Sequence, residues 1–200
     1  MSKIIGIVKI GNTGNIHSIT KAIVRAGGEA VVVQNAAQFS NVDKIVLPGV
    51  GSFKEAMDEL DNCGLAETLL ENLKSKHALG ICLGMQLLAK IGFEYGKTSG
   101  LGILEAEVKP MIVDAKVPHV GFNLVKIVNP NKLLSGLDDK EFYFMHSYEL
   151  VNYTNVSALT SYAGHTFVSS VHQDNIFGVQ FHPEKSRDNG IKLFENFINL

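Results

Sequence analysis

The spacing of hydrophobic and polar positions changes along the chain and marks out its elements. Short apolar runs over residues 4–8, 29–33, 44–47 and 78–81 alternate with stretches over 15–26, 53–60 and 65–73 whose apolar residues recur every three or four positions. Continuous short apolar runs fit strands buried on both faces, and the wider spacing fits helices that bury one stripe. Strands alternating with helices predict an α/β sheet in which parallel strands are joined by crossover helices. A further helix is expected over 83–91, directly after the run at 78–81. Beyond Gly102 the pattern shifts to shorter strands between turn residues, at Val108 and over 124–128, 142–145, 157–160, 167–171 and 177–181, followed by a closing helix over 191–199. No repeat, low-complexity tract or linker rich in Pro, Gly and Ser interrupts this order. The expectation is one domain over residues 1–200, built on a central mixed, mostly parallel sheet flanked by helices. Ligands bind such sheets at the carboxyl ends of the parallel strands.

Composition narrows the function classes. Two hundred residues at 46% hydrophobic can bury one sizeable core. A formal net charge of -2 offers no basic face for nucleic acid. No apolar run approaches the roughly 20 residues that cross a bilayer, and no secretory leader pattern opens the chain, so neither a membrane nor export is expected. The two cysteines, Cys63 and Cys82, make no disulfide framework and fit a reducing cytoplasm. Cys63 sits in a turn between helices and reads as structural.

Candidate chemistry starts at Gly80-Ile81-Cys82-Leu83-Gly84-Met85-Gln86, where a cysteine between two glycines stands at the junction of an apolar strand and a helix. That is the pattern of a nucleophile elbow. Its tight turn lifts the nucleophile above the sheet, and small residues two positions away on either side avoid backbone clashes. Cys82 at the first turn of a helix would feel the positive end of the helix dipole, which favours a thiolate. A lone cysteine is as often a small buried hydrophobe. A second motif shifts that balance. An apolar strand ends in Phe181-His182-Pro183-Glu184-Lys185-Ser186, which places a carboxylate two residues after a histidine. A thiol nucleophile needs an imidazole to handle its proton, and the imidazole needs an acceptor on its other nitrogen. Cys82, His182 and Glu184 fit those three roles.

Acyl transfer also needs two backbone donors for a tetrahedral oxyanion. The Leu83 amide, just after the nucleophile, is the first candidate. The second would come from Val50 or Gly51 in Leu47-Pro48-Gly49-Val50-Gly51-Ser52-Phe53, a glycine-containing loop that follows another predicted strand.

These segments, together with Val117-Pro118-His119-Val120-Gly121-Phe122-Asn123 and Phe144-Met145-His146-Ser147-Tyr148, resemble the class I glutamine amidotransferases in content and order. Within that family the resemblance is to the glutaminase subunits of imidazole glycerol phosphate synthase. It implies the family's α/β fold with Cys82 at its elbow, a Cys82–His182–Glu184 triad, and L-glutamine as substrate. It further implies substrate contacts from Gly51 and Gln86, and from the backbone of Ser147 and Tyr148. No cofactor is implied, and the chain contains no zinc-ligand spacing. Ammonia from glutamine is useful only beside an acceptor site, so the resemblance also implies a heterodimer with the cyclase subunit of histidine biosynthesis. Asn12 and Asn15, in a turn lacking the full phosphate-loop pattern, are read as part of the docking face and the wall of the glutamine site, and Lys185, just past the triad, is a candidate for the interface or the ammonia path. Two departures stand out. Phe122 replaces a tryptophan usual in the subfamily, and residues 8–15 differ from its usual opening. Paralogues that pass ammonia to a sugar or sugar nucleotide for surface polysaccharide keep the same triad, and they are the alternative.

Overall fold

The computed structural model describes residues 3–10 and 15–200. Four parallel strands form one half of a nine-stranded sheet: β1 (Ile4–Val8), β2 (Glu29–Val33), β3 (Lys44–Leu47) and β4 (Ala78–Ile81). The helices between them are α1 (Ile16–Arg25), α2 (Phe53–Asn62) and α3 (Ala66–Leu73). β4 is followed by the short helix α4 (Leu83–Leu87), then by β5 (Ala89–Gly92), β6 (Thr98–Ser99) and β7 (Leu104–Pro110). The remainder comprises β8 (His119–Ile127), β9 (Lys140–His146), β10 (Tyr148–Val151), β11 (Val156–Tyr162), β12 (His165–Gln173), β13 (Ile176–Val179) and the closing helix α5 (Arg187–Ile198). In space the large sheet runs β2-β1-β3-β4-β13-β12-β11-β8-β9, and a smaller one runs β10-β7-β5-β6. The pairs from β2 to β13 are parallel and those from β13 to β9 antiparallel, so the mixed sheet divides evenly at β13.

Every residue of β3, β4 and β13 is buried, which explains why their sequences are apolar almost throughout. The exception is Lys44, whose Nζ donates to the carbonyls of Phe197 and Leu200 at 2.9 Å each. Alternation along the strands feeds two cores. Ile45, Leu47 and Ala78 face a cluster with Phe53, Leu60, Leu69 and Leu73 of the α2–α3 side, while Val46, Leu79 and Ile81 face Ile19, Ile23, Phe194 and Phe197 of α1 and α5.

The helix expected over 83–91 stops at Leu87. The carbonyls of Leu87, Leu88 and Ala89 accept instead from the amides of Leu101, Leu104 and Gly102. A distant stretch of chain thus takes the acceptors that further helical turns would need. Gly92 ends β5 with its Cα against Phe53, since a Cβ there would stand 2.6 Å from the ring. At the other end of the chain, α5 begins at Arg187, ahead of the expected start at 191.

Candidate active site

Cys82 connects β4 to α4 with φ 52° and ψ −110°, a conformation that L residues seldom adopt and that marks a strained turn. The two glycines make the turn feasible. A Cβ on Gly84 would overlap the Leu47 carbonyl, and one on Gly80 would stand 2.7 Å from the backbone of Met85. β13 lies beside β4 with Val179 level with Ile81, and the Cys82 amide donates to the Val179 carbonyl at 2.7 Å. That register delivers the segment after β13 to the elbow. The Leu83 N–H, at the start of α4, has no intrahelical acceptor.

His182 and Glu184 are both removed from solvent at the side chain, and Nδ1 of His182 lies 2.8 Å from Oε1 of Glu184. The Glu184 carboxylate is an acceptor, so Nδ1 carries the hydrogen. Nε2 of His182 has no hydrogen-bond partner among the described residues. Burial alone would lower the basicity of this imidazole. The nearby Cys82, then the charge and hydrogen bond of Glu184, outweigh it and push its pKa up to about 10. His182 is therefore an imidazolium at neutral pH, facing the cysteine with a proton available.

A cavity of about 410 Å³ opens in front of these groups. Cys82, His182, Val50, Gly51, Leu83, Gln86, Ser147 and Tyr148 all line it, so the sequence-predicted nucleophile, base, oxyanion and substrate residues converge on one space. The Ser147 carbonyl accepts from the Met111 amide at 2.9 Å, and the Tyr148 carbonyl accepts from Gln86 Nε2 at 3.0 Å and from His146 Nδ1 at 2.9 Å. These carbonyls are committed within the protein, and the Gln86 side-chain nitrogen is committed with them.

The three docking-face candidates fall in different places. Asn12 lies outside the described residues. Asn15 is buried, and its Nδ2 donates to Oε1 of Glu184 and lies 3.4 Å from His182 Nδ1, so its side chain braces the histidine–glutamate pair. Lys185 is exposed, with Nζ 5.6 Å from the centre of the Tyr143 ring.

Sequence reasoning missed three residues of this region. Glu94 and Tyr95 line the cavity from the loop after β5, and among the described residues Glu94 is the one carboxylate on its wall. Gln180 is fully buried, with Nε2 3.5 Å from Sγ of Cys82. Only Gln180 left a usable signal. It stands two positions before His182 in the strand expected over 177–181, and strand alternation would put it on the same side. His146, within one of the segments that carry the resemblance, also lines the cavity, and its Nε2 lies 3.1 Å from Nδ1 of the buried His119.

Residues 10–200 match the family model described as glutamine amidotransferase class-I. The chain is 46% identical over 193 residues to the imidazole glycerol phosphate synthase subunit HisH 1 of Campylobacter jejuni (strain RM1221), covering 94% of this chain and 96% of that one. It is 43% identical to the subunit HisH of Aquifex aeolicus (strain VF5), over 92% of this chain and 91% of the other. Among solved structures, one described as a glutamine amidotransferase superposes with a TM-score of 0.76 at 20% identity, over 98% of this chain and 99% of that chain. Another glutamine amidotransferase, from Thermotoga maritima, superposes with a TM-score of 0.67 at 17% identity, over 92% of this chain and 77% of that chain. A match over nearly the whole length, with the cysteine at the elbow and the histidine beside it, places this chain in the class I glutamine amidotransferase family.

Proposed function

We propose that the chain is a single amidotransferase domain over residues 1–200, acting in the cytoplasm as the glutaminase subunit of an imidazole glycerol phosphate synthase, and that Cys82, His182 and Glu184 are its catalytic triad. The observation that carries this reading is the buried His182–Glu184 pair, held at 2.8 Å beside a cysteine at φ 52° on the adjacent strand. Identity of 43% and 46% to HisH subunits over more than nine-tenths of the chain supports the histidine pathway.

The chemistry follows from the charges. The Cys82 thiolate attacks the side-chain amide carbon of L-glutamine, and the carbonyl oxygen becomes an oxyanion held by the Leu83 amide and by that of Val50 or Gly51. His182 already carries the proton that the departing nitrogen needs. Transfer of that proton breaks the C–N bond and releases ammonia, leaving a γ-glutamyl thioester and a neutral imidazole. The imidazole then takes a proton from water as the oxygen attacks the thioester. Collapse of the second oxyanion expels the thiolate, frees glutamate and leaves His182 charged again. Glu184 keeps the ring oriented and stabilises its charge, with Asn15 bracing the carboxylate. Glu94 supplies the negative charge that suits the substrate's ammonium group, and the Ser147–Tyr148 segment faces its carboxylate.

Ammonia released into water is protonated and lost as a nucleophile, so the cyclase must dock at the cavity mouth. An apolar rim supports this. Met145, 36% exposed, lines the cavity, and Val120 and Phe122 on the paired strand are 53% and 38% exposed. Glutamate release from L-glutamine should be measured with the chain alone and with the cyclase subunit carrying its nucleotide ligand. Strong stimulation by the loaded cyclase, abolished in Cys82→Ala while that variant keeps the parent melting temperature, is the expected result. Parent-rate ammonia release by Cys82→Ala would overturn the nucleophile. Activity indifferent to the cyclase would overturn the histidine pathway in favour of a sugar-modifying acceptor.

A further inference from the structure

Gln180 has no role in the chemistry above, yet it is fully buried and touches the reacting sulfur. Its Nε2 lies 3.5 Å from Cys82 Sγ, and its Oε1 accepts from Gln86 Nε2 at 2.9 Å. The same Gln86 nitrogen donates to the Tyr148 carbonyl at 3.0 Å. This chain of contacts decides which way both amides face. A backbone carbonyl only accepts, so Gln86 must turn its NH2 toward Tyr148. The second hydrogen of that NH2 needs an acceptor, so Gln180 presents its oxygen there. The NH2 of Gln180 is thereby aimed at the sulfur. A reversed Gln86 would set its oxygen against the Tyr148 carbonyl, acceptor against acceptor, and a reversed Gln180 alone would set its NH2 against that of Gln86, donor against donor; either leaves buried polar atoms unpaired.

We propose that Gln180 is a further catalytic residue, donating a hydrogen bond from Nε2 to the Cys82 sulfur, and that Gln86 is the positioning residue that fixes its orientation. The proposal rests on the reading of Cys82 as the nucleophile. A donor at this point favours the charged form of the sulfur over the thiol, and so enlarges the fraction ready to attack. It acts again in the second half of the reaction, where sulfur leaves the thioester as a thiolate and gains back the same hydrogen bond. The link through Gln86 to the Tyr148 carbonyl also ties the sulfur to the segment that faces the substrate's carboxylate. Displacement of that segment would be felt at the nucleophile.

The test uses the full chain carrying Cys63→Ser, so that Cys82 is the only thiol. Alkylation by iodoacetamide is followed across pH for the parent, Gln180→Met, Gln180→Glu and Gln86→Met, alongside kcat and KM for glutamate release with the cyclase subunit carrying its nucleotide ligand. Methionine keeps most of the volume without a donor. It should move the alkylation profile to higher pH and slow alkylation at neutral pH by about tenfold or more, the usual worth of a hydrogen bond to a charged group. kcat should fall by a similar factor with KM changed by less than about threefold. Gln86→Met should shift the profile in the same direction by less. Gln180→Glu keeps the acceptor for Gln86 and sets a carboxylate against the sulfur, so it should slow alkylation more than Gln180→Met. That variant carries the test if the methionine chain does not fold. A folded Gln180→Met or Gln180→Glu chain with the parent profile and parent kcat would overturn the proposal. A shifted profile in a protein that releases no glutamate would leave the donor in place and remove the glutaminase reading, so the two fail separately.

Discussion

At the scale of single residues, two histidines near the cavity are driven in opposite directions. His182 is pushed up to about 10 by Cys82 and Glu184 against the effect of burial, whereas His146 is pushed down to about 4, chiefly by burial. Its hydrogen bonds agree with a neutral ring. Nδ1 donates to the Tyr148 carbonyl, so Nε2 is free to accept from His119, whose own pKa burial also lowers. The sign of the resulting pH dependence is definite. Below about pH 6.5 the unfolded chain binds a proton at residue 146 that the folded chain refuses until about pH 4, so stability is present above that window and lost as pH falls through it. His182 adds nothing to that acid loss, because its folded form stays protonated throughout the window. Its contribution is full below about 6.5 and lost as pH rises toward 10. Replacement of His146 by Gln should flatten the acid limb, removing roughly 3 kcal/mol of pH-dependent loss between pH 6.5 and about 4 in urea titrations. An acid limb as steep as the parent's would show that other groups carry it.

At the scale of elements, the loop from Pro48 to Ser52 leads into a doubly capped α2. Ser52 Oγ accepts from the Glu55 amide at 3.4 Å, and the Glu94 carboxylate, reaching over from the loop after β5, accepts from the Phe53 amide at 2.6 Å. Carboxylates and hydroxyls at a helix start satisfy amides that have no intrahelical partner. Ser52→Ala should therefore cost only about 1 kcal/mol in thermal or urea unfolding and change kcat little, because Glu94 keeps the first turn in place. A large loss of turnover would mean that the serine, not Glu94, positions the neighbouring oxyanion loop. The same scale explains the misplaced helix. Residues 83–91 carry a helical apolar pattern, yet the coil ends at Leu87, because the backbone of 101–104 captures the next carbonyls. Periodicity records which side chains will be buried. It does not record which backbone groups a distant segment will claim.

At the scale of the whole molecule, the parallel half of the sheet brings the loops after β3, β4 and β13 to one edge, and the antiparallel half extends from it to the β8–β9 hairpin with an exposed apolar face. Phe122 and Tyr143 pair across that hairpin, with Arg187 above the Phe122 ring at 4.5 Å and Lys185 above Tyr143. An apolar strip flanked by two cations suits an acidic-rimmed partner. Phe122→Glu should raise the cyclase concentration needed for half-maximal stimulation at least about tenfold and leave the rate at saturating cyclase unchanged. An unchanged titration would move the docking surface elsewhere.

The sequence by itself determined the buried strands, the elbow at Cys82 and the His182–Glu184 spacing, because each is written in neighbouring residues whose periodicity and size have local physical meaning. The tertiary structure alone decided the smaller sheet, the early end of α4 and the long-range contacts that complete the site. Asn15 meets Glu184 across 169 positions, Gln180 meets Cys82 across 98, and Glu94 meets Phe53 across 41. No local pattern encodes such pairings. The register of β13 beside β4 brings Gln180 to Cys82, and elsewhere the hydrogen-bonding capacity of whatever becomes buried must be satisfied by whichever groups the packing has brought within reach.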